Sequence, residues 1–139
     1  MKKRKPVADI MTKHVYTADL EKDDLHSVKD LINTKHLRHV PVIHKGKLAG
    51  IISKSDINRL TFSSLFEDQE DADDAVFDML KIEHVMTGKP KSVSSETTIR
   101  EVAEILAEEE YHSLPVVDGD ELVGIVTTTD VIKYMLEQY

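Results

Sequence analysis

Two stretches of the chain carry the same groups at the same spacing. Gly50 to Ile57 reads GIISKSDI and Gly124 to Val131 reads GIVTTTDV. Each holds a glycine, two aliphatics, a hydroxyl residue (Ser53 or Thr127) and, three positions on, an aspartate (Asp56 or Asp130). A hydroxyl where strand becomes helix stands beside free backbone N–H groups that favour a phosphate. A carboxylate three residues later lies on the same side of that helix. It can accept two hydrogen bonds from a cis-diol, as acidic residues do with a ribose. Together these groups suit a nucleoside phosphate. They suit a helix start without any ligand equally well, because Ser and Thr are preferred N-caps and an early Asp complements the helix dipole.

The surroundings of the doubled phrase tilt the balance toward binding. A Val-Pro-Val strand lies nine residues before it in both halves, centred on Pro41 and Pro115. Polar or basic residues precede that strand: Arg38 and His39 in the first half, His112 and Ser113 in the second. From the opposite wall of a cleft these could reach phosphates. The two places differ in charge. Arg38, His39, Lys54, Lys45 and Lys47 surround the first, whereas His112 has Asp118, Asp120 and Glu121 near it in sequence. Coulombic attraction then predicts tighter binding of a polyphosphate beside Asp56 than beside Asp130. Lys54 serves equally as a plain surface residue at a helix start.

The elements that would position these groups are themselves written twice. The phrases lie 74 residues apart, and HVPVI at 39–43 over SLPVV at 113–117, Leu48 over Leu122, and Leu25, Val28, Leu31 and Ile32 over Ile99, Val102, Ile105 and Leu106 keep that offset. DIMT at 9–12 and HVMT at 84–87 match at an offset of 75. Such persistence indicates an internal duplication. Each half predicts a Met-Thr turn, a brief strand (14–17 or 91–93), a helix, two strands joined by a glycine hairpin, and a final helix. Thr98 with Glu101 predicts a capping box on the second copy of the first helix. The expected fold is α/β (α+β): two pseudo-twofold-related β-α-β-β-α repeats. The expected organisation is a basic tail over 1–6, a first repeat over 7–60, an acidic linker over 61–80 and a second repeat over 81–139. The acids of 67–74 predict a solvated loop, with Phe62, Leu65 and Phe66 before it and Val76, Phe77, Met79 and Leu80 after it able to dock as short helices.

Composition removes several function classes. The chain has no cysteine, so disulfides, thiolate metal sites and a cysteine nucleophile are out. No nucleophile elbow, Walker loop, dinucleotide fingerprint or H-E-x-x-H occurs. No catalytic residues and no metal ligands are therefore assigned. The net charge of −8 opposes general nucleic-acid binding, which needs a basic face. No apolar run approaches membrane-spanning length and none follows the basic tail at Lys2–Lys5, which predicts a frayed terminus and neither membrane insertion nor a secretory signal. A cytoplasmic protein is expected.

Met-Thr, then Val-Pro-Val, then G-h-h-[ST]-x-x-D-h, all occurring twice, resembles a tandem cystathionine-β-synthase (CBS) domain pair, or Bateman module, over nearly the whole chain. The resemblance implies that Ser53, Asp56, Thr127 and Asp130 form hydroxyl–aspartate ribose sites. It implies phosphate contacts from His39 and Ser113, adenine slots lined by Val15 and Pro90, and backbone contacts around Val40 and Leu114. It further implies regulation rather than catalysis. The ligand would be AMP, ADP, ATP (with Mg²⁺ as companion) or S-adenosylmethionine, with no catalytic cofactor. A homodimer would signal to a separate effector protein, since no fused effector is seen in these residues. The competing expectation is a dimerisation scaffold with no nucleotide ligand.

Overall fold

The computed structural model describes residues 4–61 and 70–139, so the expectations for Phe62, Leu65 and Phe66 lie outside the described residues. Two compact units emerge, one built from 16–89 and the other from 1–15 together with 90–139.

In the 16–89 unit the elements run β1 (Ala18–Asp19), α1 (Leu25–Lys35), β2 (His39–His44), β3 (Lys47–Ser53), α2 (Lys54–Asn58), α3 (Glu70–Met79), α4 (Ile82–Val85) and β4 (Thr87–Gly88). They form a four-stranded sheet in the order β1-β2-β3-β4. β1 pairs parallel to β2, while β2–β3 and β3–β4 are antiparallel. The hairpin forms because Lys45 and Gly46 both take positive φ, 52° and 80°, the geometry of the tight turn that matches strand twist. Its register sets His39 opposite Ser53 and Val40 opposite Ile52. α1 starts where Asp24 accepts from the Ser27 backbone N–H at 2.9 Å, and it buries Leu25, Val28 and Ile32 at helical spacing. These pack with Val40, Val42, Ile52, Ile57, Phe77 and Ile82.

The other unit repeats this plan. α5 (Ile99–Glu108), β5 (Ser113–Asp118), β6 (Glu121–Thr127) and α6 (Thr128–Glu137) stand where α1, β2, β3 and α2 stand in the first. β5 and β6 form an antiparallel hairpin, Ser113 opposite Thr127. Single bridges Val93–Val116 (parallel) and Thr12–Ile125 (antiparallel) take the places of the β1–β2 and β3–β4 ladders. Val7, Val93, Val102, Leu114, Val116, Val126 and Val131 make the core.

Several expectations change. The brief first strand is Ala18–Asp19, one step beyond 14–17, because Ala18 is the residue that faces Val42. Thr98 accepts from the Glu101 N–H at 3.1 Å without a reciprocal bond from Glu101, so the box is half made. Residues 70–74 begin a helix rather than a loop, since α3 inserts Phe77 at 2% exposure while Met79 points to solvent. Lys5 and Pro6 are tied in rather than frayed. The Lys5 carbonyl accepts from Ile99 at 2.9 Å, its ammonium lies over the Tyr134 ring, and Pro6 bridges Thr98.

The Met-Thr turns are exchanged. Thr12, which precedes the first repeat, pairs with β6 of the second, and Thr87, which precedes the second, pairs with β3 of the first. This exchange explains the glycines of the doubled phrase. A Cβ on Gly50 would stand 2.5 Å from Met86 Sδ and 2.7 Å from the Thr87 carbonyl oxygen. A Cβ on Gly124 would stand 2.7 Å from Met11 Sδ and 2.9 Å from the Thr12 carbonyl oxygen. Only a residue without a side chain admits so close a neighbour.

Candidate functional site

Each strand-to-helix corner is held by a reciprocal pair of bonds. Ser53 Oγ accepts from the Asp56 N–H at 3.0 Å, and Asp56 Oδ2 accepts from the Ser53 N–H at 2.9 Å. Thr127 Oγ1 accepts from the Asp130 N–H at 3.1 Å, and Asp130 Oδ2 accepts from the Thr127 N–H at 3.0 Å. The sequence places these residues so because a hydroxyl N-cap and an acid three positions on can satisfy each other's orphan donors. The cap occupies one carboxylate oxygen of each aspartate and leaves the other, Oδ1, for something else.

The strands that precede each corner bring further groups to the same end of the hairpin. His39 sits opposite Ser53 in register, and the Arg38 carbonyl accepts from the Lys54 N–H at 2.8 Å. In the second repeat Ser113 sits opposite Thr127 and the His112 carbonyl accepts from the Thr128 N–H at 3.0 Å. Arg38, Lys54 and His112 are exposed, His39 is half-buried and Ser113 is buried. Val40 and Leu114 are fully buried core side chains, so only their backbones are open to a ligand role. Val15 and Pro90 are half-buried and stand where the chain passes from one unit to the other.

Five of the charges grouped with these corners by sequence proximity are elsewhere. Lys45 and Lys47 lie at the β2–β3 turn, and the six residue steps from Lys47 to Ser53 put that turn about 20 Å from the corner. Asp120 and Glu121 occupy the equivalent turn end of the second hairpin, beside Asp118 at the end of β5. Asp118 is held there by Ser95, whose Oγ donates to it at 2.6 Å and whose N–H donates at 3.0 Å. These bonds hold its carboxyl below the usual range. The expected contrast in charge between the corners therefore rests on Arg38, His39 and Lys54 against His112.

Sequence reasoning missed Arg59. Its guanidinium pairs with Asp56 Oδ1, the oxygen the cap leaves over. Helical spacing was the available signal, since Asp56 and Arg59 are three apart.

A cavity of about 560 Å³ in the 16–89 unit lies away from these residues. Glu21, Asp23, Asp24, Asp78 and Glu83 line it together with His26, His44 and Lys81, an acidic excess that opposes a phosphate. His26 Nε2 donates to Asp78 Oδ1 at 2.8 Å, and that partner raises the imidazole above its ordinary value. Among the described residues no cluster of three or more His, Asp or Glu could hold a metal ion, and no helix is long and apolar enough to cross a membrane.

Comparison with known proteins gives a consistent picture. The CBS domain model matches residues 7–62 and again 82–137. An uncharacterized protein of Methanocaldococcus jannaschii is 36% identical over 135 residues, covering 95% of this chain. This chain spans only 44% of that relative's length. The crystal structure of CBSX2 from Arabidopsis thaliana in complex with AMP is similar at a TM-score of 0.79, with 24% identity over 96% of this chain and 98% of that one. A CBS domain pair in complex with 5′-methylthioadenosine and S-adenosyl-L-methionine is similar at a TM-score of 0.77, again with 24% identity over 96% and 98%. At that identity the likeness is one of fold.

Proposed function

Because this chain belongs to the CBS domain family, we propose that it is a non-catalytic regulatory module that binds an adenosine-containing ligand at the Ser53–Asp56 and Thr127–Asp130 corners. AMP, ADP, ATP with Mg²⁺, and S-adenosylmethionine are the candidate ligands. The observation that carries this reading is the spare oxygen. A capping box needs one carboxylate oxygen, so in both repeats Asp Oδ1 lies outside the cap; at Asp130 it is open to a ribose diol, and at Asp56 it is held by Arg59, which a diol would have to displace. Arg38 and His39 in the first repeat, and His112 and Ser113 in the second, stand just before and at the start of the neighbouring strand to meet the phosphate or its replacement. The adenosine ligands of the two similar solved structures support the ligand class.

The output is a change in homodimer geometry, sensed by a separate effector protein. An apolar stripe on α6 and the residues after it supports dimerisation, with Ile132, Met135, Leu136 and Tyr139 exposed at helical spacing. A ligand shifts such an equilibrium only by its differential affinity for the two geometries.

A second reading has its own observation in its favour. The reciprocal caps fully account for the Ser/Thr-x-x-Asp pattern, so a dimerisation scaffold without a ligand would keep it too. Thermal shift with AMP, ADP, ATP, S-adenosylmethionine and NAD separates the two. A ligand at 100 times its Kd stabilises the fold by about 2.7 kcal/mol, a shift of about 8 °C for a chain of this size. Asp56→Asn and Asp130→Asn keep a cap acceptor but remove the charge and one acceptor oxygen. Loss of the shift in either variant is the expected result. A flat panel on folded wild-type protein hands the case to the scaffold.

A further inference from the structure

The two corners have the same cap but different partners for the spare carboxylate oxygen. At Asp56 that oxygen is paired with the Arg59 guanidinium. At Asp130 it has no hydrogen-bond or ion-pair partner among the described residues, and the position equivalent to Arg59 is Lys133, which pairs with nothing there. The Asp56 side chain is 15% exposed and Arg59 71%, so the pair sits at the mouth of the corner, with the arginine on the solvent side. A diol approaching Asp56 meets a carboxylate whose two oxygens are already engaged, one by the Ser53 N–H and one by Arg59.

We propose that Arg59 is a built-in competitor for the ribose-binding carboxylate of the first repeat, so that the two sites fill in order, the Asp130 site before the Asp56 site. This rests on the adenosine-binding reading above. It also reverses the order that charge alone predicts, because the nearest cation to Asp56 is spent on the aspartate itself. The effect is graded by ligand charge. A neutral nucleoside must displace the guanidinium with nothing to offer it, whereas an anionic phosphate supplies the released arginine with a new partner and strengthens with it. The first repeat therefore discriminates against uncharged adenosine compounds, and the second does not.

The test uses the intact chain. Asp130→Ala silences the second site and reports the first alone; adding Arg59→Gln removes the competitor. In that background 5′-methylthioadenosine, a neutral probe at the ribose end, is expected to bind about threefold more tightly by calorimetry once Arg59 is gone, the size of a partly exposed ion pair. AMP is expected to gain less or to weaken. Tightening of both ligands by the same factor, or no change in either, overturns the proposal. A ligand-independent arm separates its failure from that of the binding reading. The Arg59 Nη protons are expected to be protected and slow to rotate by NMR in wild type and to lose that protection in Asp56→Asn. If they are free in wild type there is no competitor, whatever binds. If they are held but no adenosine compound binds any variant, the binding reading fails and the proposal with it.

Discussion

Adding one methyl group at Gly50 tests the reason for the first residue of the doubled phrase. The new Cβ would lie 2.5 Å from Met86 Sδ, 2.7 Å from the Thr87 carbonyl oxygen and 3.0 Å from Met86 Cγ. An ordinary contact would need the neighbours to retreat by about 1 Å. The thioether can swing away, because Met is unbranched and flexible. The Thr87 carbonyl cannot follow it easily, since Thr87 and Gly88 are paired with Ile51 and Gly50 in the β3–β4 ladder. Overpacking of this kind costs about 1–3 kcal/mol. At roughly 3 °C per kcal/mol for a chain of this length, Gly50→Ala is expected to lower Tm by about 6 °C. Gly88→Ala is the control. A Cβ there meets nothing within 4 Å and its φ is not positive, so the cost should stay within about 0.5 kcal/mol. Adding Met86→Ala to Gly50→Ala should not restore full stability, because the carbonyl contact remains. Calorimetry and urea unfolding measure all four proteins. Equal stability of Gly50→Ala and Gly88→Ala would refute the close-approach argument, and so would complete rescue by Met86→Ala.

Two further outcomes follow from the helix inserted between the repeats. Phe77→Ala is expected to cost about 3–5 kcal/mol and to expose the amides of α3 to hydrogen exchange, because Phe77 is the fully buried anchor of that helix in the 16–89 core. Docking of α3 is also expected to depend on pH through His26. Its bond to Asp78, helped by Asp74 and Asp24, raises the folded-state pKa. The contribution is therefore fully present below the ordinary histidine value of about 6.5 and is lost as pH rises through the raised value. The protection factors of the α3 amides, taken relative to the intrinsic exchange rate at each pH, should fall over that window in wild type and stay flat in Asp78→Asn. A fall on acidification instead would mean that His26 is held neutral.

The sequence carried the parts of the fold that are decided locally. Both hairpins and the starts of both helices that follow them are set by neighbours close in the chain, so the 74-residue offset carried them from one half to the other. The Met-Thr turns were visible as repeated words, yet their exchange was not. Pairing Thr12 with Ile51 or with Ile125 satisfies the same hydrogen bonds with the same glycine beside them, so composition has no vote. Docking of the second half of α3 was anticipated, and its first half was misread as loop because four of the five residues at 70–74 are acidic. One phenylalanine and the partly buried Val76 and Leu80 suffice to seat the helix on α1. At the candidate site, Ser53, Asp56, Thr127 and Asp130 were legible because their spacing is a local rule. Lys45, Lys47, Asp120 and Glu121 were assigned by distance along the chain, when strand geometry sends them to the far end of each hairpin. Arg59 was overlooked although helical spacing points to it.

The exchanged arms leave the two units with unequal histories during folding. In the 16–89 unit the edge contact of Ile51 with Thr87 closes a span of 36 residues. In its counterpart the equivalent contact of Ile125 with Thr12 closes 113. The longer closure costs about 1 kcal/mol more in chain entropy. It also cannot form until residue 125 has left the ribosome. The unit of 16–89 is a continuous piece of chain that can assemble while synthesis proceeds, whereas the other must keep Thr12 waiting for a hairpin made more than a hundred residues later.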